Sequence, residues 1–151
     1  MGQSLSAVYL HLVFSTQDRQ PFLLDPDLRR SVHAYLATVS NDYGCPAILV
    51  GGVEDHVHLL ARFGRQCTQS DWAKKVKATS SHWLNNDEPN LPEFKWQAGF
   101  GIFSVSPREV ESVRRYIENQ EEHHRKFSFK DEFRALLTEN EVEWDEKYVW
   151  L

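Results

Sequence analysis

Apolar and polar residues alternate through "AVYLHLVFST" (7–16), which predicts a strand with Val8, Leu10, Leu12 and Phe14 on one face. The period lengthens in "DPDLRRSVHAYLATVSNDYG". There Leu28, Val32, Tyr35, Leu36 and Val39 recur at helical spacing, behind acids and Pro26 and ahead of Gly44. Two further strands, "PAILVGG" and "HVHLLARF", flank "GGVED", a connection suited to a hairpin. In "SDWAKKVKATSSHWL", Trp72, Val76, Thr79 and Trp83 share one helical face and the lysines lie largely elsewhere. "FKWQAGFGIFSVS" predicts a fourth strand, with Gly99 and Gly101 permitting a bulge or a close approach. Ser106, Pro107 and Glu109 then open a third helix in the pattern of a capping box.

The order is β-α-β-β-α-β followed by a further helix. Two β-α-β halves of this kind predict an α+β protein of ferredoxin-like type, a four-stranded antiparallel sheet with both helices on one face. The "HVHLLARF" strand is third in sequence and central in that topology. The third helix leaves the fourth strand and is placed near the other face. The whole chain, 1–151, is expected to form one domain. Its acidic C-terminal extension, from about residue 127 to 151, carries a short helix near 130–138 and an aromatic end, "VEWDEKYVWL".

Composition narrows the class. A hydrophobic content of 41% and a charged content of 26% are those of a soluble globular protein. No apolar run approaches a membrane span, and the N-terminus lacks the pattern of a signal peptide, so a cytoplasmic location is expected. Cys45 and Cys67 have no C-x-x-C spacing, which argues against a disulfide or zinc framework. The net charge of −5 weighs mildly against nucleic acid as a partner, but the distribution is uneven. Residues 101–151 hold 12 acidic against 8 basic groups, whereas Arg62, Arg65, Lys74, Lys75 and Lys77 crowd into 62–77 against Asp71 alone. That segment is the candidate DNA-binding surface, its alternative being a solvated helix face.

Candidate chemistry sits on the third strand. His56, His58 and Leu60 point one way and Val57, Leu59 and Ala61 the other. The Val57 face suits a core; the histidine face suits hydrogen bonding or a metal ion. On the third helix Tyr116 and Gln120 are four apart and share a face, beside the apolar stripe of Val110, Val113 and Ile117. Two imidazoles and an amide oxygen, with a phenol one turn away, suit magnesium or manganese bound chiefly through substrate phosphate. His123 and His124 are rivals to Gln120 as third ligand, whereas His11, His33 and His82 are expected to be structural or exposed.

His56-Val57-His58 resembles the His-hydrophobic-His motif of the HUH nucleases. "YIENQ" (116–120) resembles the helix of the single-tyrosine transposases of small bacterial insertion sequences and their REP-associated relatives, and "WQAGFGIFSVS" is similar to the strand that leads into it. The resemblance runs from "YLHLVFST" to about residue 126. It implies cleavage and rejoining of single-stranded DNA at hairpin-flanked element ends. Tyr116 would be the nucleophile, a 5′-phosphotyrosyl intermediate would form, and His56, His58 and Gln120 would hold Mg2+ or Mn2+. It also implies a homodimer in which Tyr116 of one chain can serve the histidines of the other. The tyrosine helix is not needed to close the four-stranded core, and Trp144, Tyr148 and Trp150 offer apolar surface for such an assembly. An HUH replication initiator or relaxase is the alternative within the same chemistry. A ferredoxin-like RNA-binding module is the non-enzymatic alternative, and a zinc hydrolase is disfavoured because no third ligand stands at suitable spacing.

Overall fold

The computed structural model describes residues 2–88, 91 and 93–151. Strands β1 (Tyr9–Ser15), β2 (Ala47–Gly52), β3 (His56–Arg62) and β4 (Gly101–Val105) form one antiparallel sheet in the order β2-β3-β1-β4. Helices α1 (Pro26–Tyr43) and α2 (Gln69–Asp87) supply the expected β-α-β-β-α-β order, and β3 is central. Helix α1 starts where the Asp25 side chain accepts from the Asp27 N–H, with Pro26 at the first position, and ends on left-handed Gly44. Helix α2 is capped in the same way by Thr68.

The sheet has two buried faces. Leu10, Leu12 and Phe14 of β1 and Val57, Leu59 and Ala61 of β3 pack with α1 and α2 around Val32, Leu36, Trp72 and Val76. Val8 lies outside this core, 45% exposed, because it precedes the first ladder residue. On α2 the fully buried line is Trp72, Val76, Ser80 and Leu84, while Thr79 and Trp83 flank it.

The opposite face carries His11 and Val13 of β1, His56, His58 and Leu60 of β3, and Phe103 and Val105 of β4. Helix α3 (Val110–Glu118) covers one end of it, packing Val113, Tyr116 and Ile117 against Leu60 and Val105. Helix α5 (Phe129–Glu139) covers the other, with Phe129, Phe133 and Leu137 against Val13 and Phe103. Each such side chain taken out of water stabilises the docking by about 1.5–3 kcal/mol. Two glycines let these helices approach: a Cβ on Gly51 would meet Ile117 Cγ2 at 2.6 Å, and one on Gly101 would meet Phe133 Cε1 at 2.7 Å. The tyrosine helix therefore lies on the other face, as expected, and there it is part of a second core.

Three local expectations are corrected. The fourth strand begins only at Gly101, because the carbonyls of Ala98 and Gly99 accept from the Lys77 ammonium instead of joining the ladder. The Ser106 hydroxyl caps nothing: the Glu109 N–H bonds the Ser106 carbonyl, so a 3-10 turn (Pro107–Glu109) precedes α3. At Asn119 the helix breaks, and a short α4 (Gln120–His123) follows. Among the described residues no helix is long and apolar enough to cross a membrane.

Candidate active site

Strand parity aims His56 and His58 at the face between α3 and α5, and both are wholly buried. The one-turn offset on α3 and α4 brings Tyr116 and Gln120 to the same place despite the break at Asn119. Gln120 Oε1 lies 2.9 Å from His56 Nε2, and the Tyr116 ring stands edge-on to the His58 ring at 5.7 Å. All four residues expected to share a site do so, and within one chain. Tyr116 thus lies against its own chain's histidines.

At the centre of the group is Glu132 of α5, which the sequence did not single out. Its Oε1 is 3.1 Å from His56 Nε2, 3.0 Å from His58 Nε2 and 3.1 Å from His124 Nε2. Its Oε2 accepts from the Tyr116 hydroxyl and from Gln120 Nε2 at 2.8 Å. Only 3% of the residue is exposed. Helix α5 brings it there by an ordinary route: Ser128 caps the helix by accepting from Asp131 N–H, and acids favour a first turn.

The imidazoles are also held from behind. His56 Nδ1 lies 2.7 Å from Asp55 Oδ1, His58 Nδ1 lies 2.7 Å from His11 Nε2, and His124 Nδ1 lies 2.6 Å from the Phe127 carbonyl. His11 is therefore structural, as expected, but at the site itself; His82 is exposed and His33 half-buried. His124 joins the cluster, and His123 stands at its edge, 3.4 Å from Glu132 Oε2.

Burial and neighbours divide the protons. Burial disfavours the charged form of His56, but hydrogen bonds to Asp55 and Glu132 outweigh it and raise its pKa to about 9. Burial lowers the pKa of His58, and brings that of His11 down to about 3. Burial would raise the Glu132 pKa, yet the charge of His58 and hydrogen bonds from His124, His56 and His58 hold it far below the usual carboxylate range. The Tyr116 phenol is raised well above its ordinary value, by burial first and then by Glu132.

The donor chemistry fits a divalent cation. His56, His58, His124 and Glu132 each offer an atom, all within 4.8 Å of one another. A cleft of about 480 Å³ is lined by Glu132 of this group and by Tyr116, with His123, Phe127, Asp131 and Glu139 around them.

The basic segment is not one surface. Arg62 and Arg65 flank a groove with Ser4, Leu5 and Phe63, whereas Lys74 and Lys77 line another with Lys95, Trp96 and Phe100. Lys75 is exposed on α2, and Lys77, half-buried, spends its ammonium on the two carbonyls that precede β4.

Comparison with known proteins agrees with this geometry. No curated protein matches the chain. A solved protein of Deinococcus radiodurans R1, described as a transposase, is similar at 23% identity and a TM-score of 0.64, over 80% of this chain and 96% of that one. A REP-associated tyrosine transposase bound to a REP hairpin is similar at 13% identity and a TM-score of 0.59, over 82% and 72%. At these identities the likeness shows the fold. The family model described as "Transposase IS200 like" matches residues 4–120, from the chain's start through both histidines and Tyr116 to Gln120, and the protein accordingly belongs to the IS200-like transposases.

Proposed function

We propose that the chain cleaves and rejoins single-stranded DNA with Tyr116 as nucleophile. The observation that carries this reading is the convergence of the Tyr116 hydroxyl, His56, His58 and Gln120 around Glu132, which lines one cleft together with Tyr116. The phenol oxygen forms a bond to the scissile phosphorus as the bond to the 3′-oxygen breaks. The products are a 5′-phosphotyrosyl chain and a free 3′-hydroxyl, and attack by a 3′-hydroxyl reverses the step. The Tyr116 hydroxyl is held by its hydrogen bond to Glu132 Oε2, and the proton it loses is balanced by the one the leaving 3′-oxygen takes up. The covalent link conserves the phosphodiester, so rejoining needs no nucleotide cofactor.

His56 and His58 would hold a divalent ion, with Gln120 beside His56. Such an ion offsets charge on the phosphate oxygens and stabilises phenolate. The surroundings call for that charge: Asp131, Glu132 and Glu139 line the cleft, and a phosphate entering among carboxylates is otherwise repelled. Arg62, Arg65, Lys74, Lys75 and Lys77 are proposed contacts to the DNA away from the reacting phosphate.

The RNA-binding alternative requires a free sheet face on which bases stack. Here α1 and α2 cover one face and α3 and α5 the other. The test is incubation of the full chain with labelled single-stranded fragments of a flanking element, with and without Mn2+, resolved on a denaturing gel. Metal-dependent cleavage that Tyr116→Phe removes is expected. Cleavage retained by Tyr116→Phe would end the assignment.

A further inference from the structure

The buried carboxylate at the centre of the site faces the Nε2 atoms of three imidazoles, two of which carry a hydrogen on the far side. His56 Nδ1 faces the Asp55 carboxylate and His124 Nδ1 faces the Phe127 carbonyl, so each must carry a hydrogen there. In a neutral imidazole the other nitrogen is then a bare lone pair. In both residues that nitrogen points at oxygen: Glu132 Oε1 for each, and Gln120 Oε1 as well for His56. Lone pairs facing an anionic oxygen repel, so these atoms are reconciled either by a hydrogen on Nε2, as on His56 in the metal-free protein, or by a cation among them.

The spacing from Glu132 Oε1 to each imidazole is that of adjacent ligands on one ion. Two donors at about 2.1 Å from a metal and at a right angle to each other stand about 3.0 Å apart. Glu132 Oε1 stands 3.0–3.1 Å from three Nε2 atoms. Each of those imidazoles has its far nitrogen engaged by a group behind it, the arrangement that orients metal-ligating histidines. Gln120, by contrast, spends its amide N–H on Glu132 Oε2, as Tyr116 spends its hydroxyl.

We propose that Glu132, delivered by α5, is the anionic ligand of this site, so that the ion is held by His56, His58, His124 and Glu132 and is a transition-metal dication in preference to Mg2+. Three imidazoles and one carboxylate suit Mn2+, Co2+ or Zn2+; Mg2+ favours oxygen ligands and water. Gln120 becomes a positioning residue that fixes the carboxylate. Glu132 Oε2 then ties the ligand set to the nucleophile, and the C-terminal helix becomes part of the metal centre. The inference rests on the proposed cation site at His56 and His58, but is read by metal binding without DNA. Failure of Tyr116 to form an adduct therefore leaves it standing.

The experiment is calorimetric titration of the full chain with Mn2+, comparing wild type, Glu132→Gln and Gln120→Ala, each first checked for folding by circular dichroism. Glu132→Gln is expected to weaken binding by at least about 100-fold, as loss of a direct ligand should exceed the 10–100-fold cost of losing an outer partner. Gln120→Ala is expected to weaken it by about tenfold. Mn2+ binding unchanged in Glu132→Gln but abolished in Gln120→Ala would overturn the proposal. A second measurement needs no variant: Co2+ bound to wild type gives visible d–d absorption, which a 100-fold excess of Mg2+ should leave intact. Displacement of Co2+ by equimolar Mg2+ would overturn it equally.

Discussion

Raising the pH from 6.5 to 8 is expected to destabilise the metal-free protein by about 2 kcal/mol, with His56 as the cause. Its pKa is held at about 9 in the fold against 6.5 for the free side chain, because the Asp55 and Glu132 hydrogen bonds outweigh burial. A group that binds its proton more tightly when folded stabilises the fold fully below its unfolded pKa. That stabilisation is lost as pH rises toward the folded value. The window therefore runs from 6.5 to about 9, at about 1.36 kcal/mol per unit. Its lower part is the cleaner one. Burial brings Lys77 to about 8, and above that value Lys77 acts in the opposite sense, its unfolded form keeping a proton the folded form has lost. His11 and His33, lowered by burial to about 3 and about 4, act only below 6.5. The remaining one and a half units give about 2 kcal/mol. The assay is urea unfolding in chelator, followed by tryptophan fluorescence, at the two pH values. His56→Gln should flatten the profile, as should saturating Mn2+, because a ligating imidazole must be neutral. Stability that is level or rising in the wild type over this range, or an equal fall in His56→Gln, would refute the reasoning.

Gly51→Ala should push Ile117 and α3 off β2, costing about 1–3 kcal/mol and, by shifting Tyr116, about 100-fold in cleavage; unchanged cleavage in a folded variant would contradict the contact. A mixture of Tyr116→Phe and His56→Ala chains should stay inactive, since each Tyr116 lies in its own chain's site; recovered cleavage would establish shared sites in a dimer. Lys74→Ala should make the salt dependence of DNA binding shallower by about one unit of log–log slope, and a slope equal to that of wild type would return Lys74 to a solvated helix face.

What was legible in the sequence followed local rules. Strand parity put His56 and His58 opposite Val57 and Leu59, and helical spacing put Tyr116 beside Gln120; both rules survive folding because they concern neighbours in the chain. Glu132 was not legible, because from sequence it is an acid in the first turn of a Ser-capped helix and needs no further explanation. Its place in the site is set by a distant contact, Phe133 against Gly101, that no periodicity reports. The start of β4 was missed for a similar reason: Lys77, more than twenty positions earlier, takes the carbonyls of Ala98 and Gly99. The capping box failed more locally, when the backbone carbonyl of Ser106 took the hydrogen bond expected of its hydroxyl.

The central claim is that Tyr116 becomes covalently joined to DNA. The direct measurement is mass spectrometry of peptides from wild-type protein incubated with Mn2+ and a single-stranded substrate, then digested with nuclease and protease. The account predicts a nucleotide attached through its 5′-phosphate to the peptide containing Tyr116, and its absence from Tyr116→Phe. A nucleotide on any other side chain, or cleaved DNA with no protein-linked product, would contradict it.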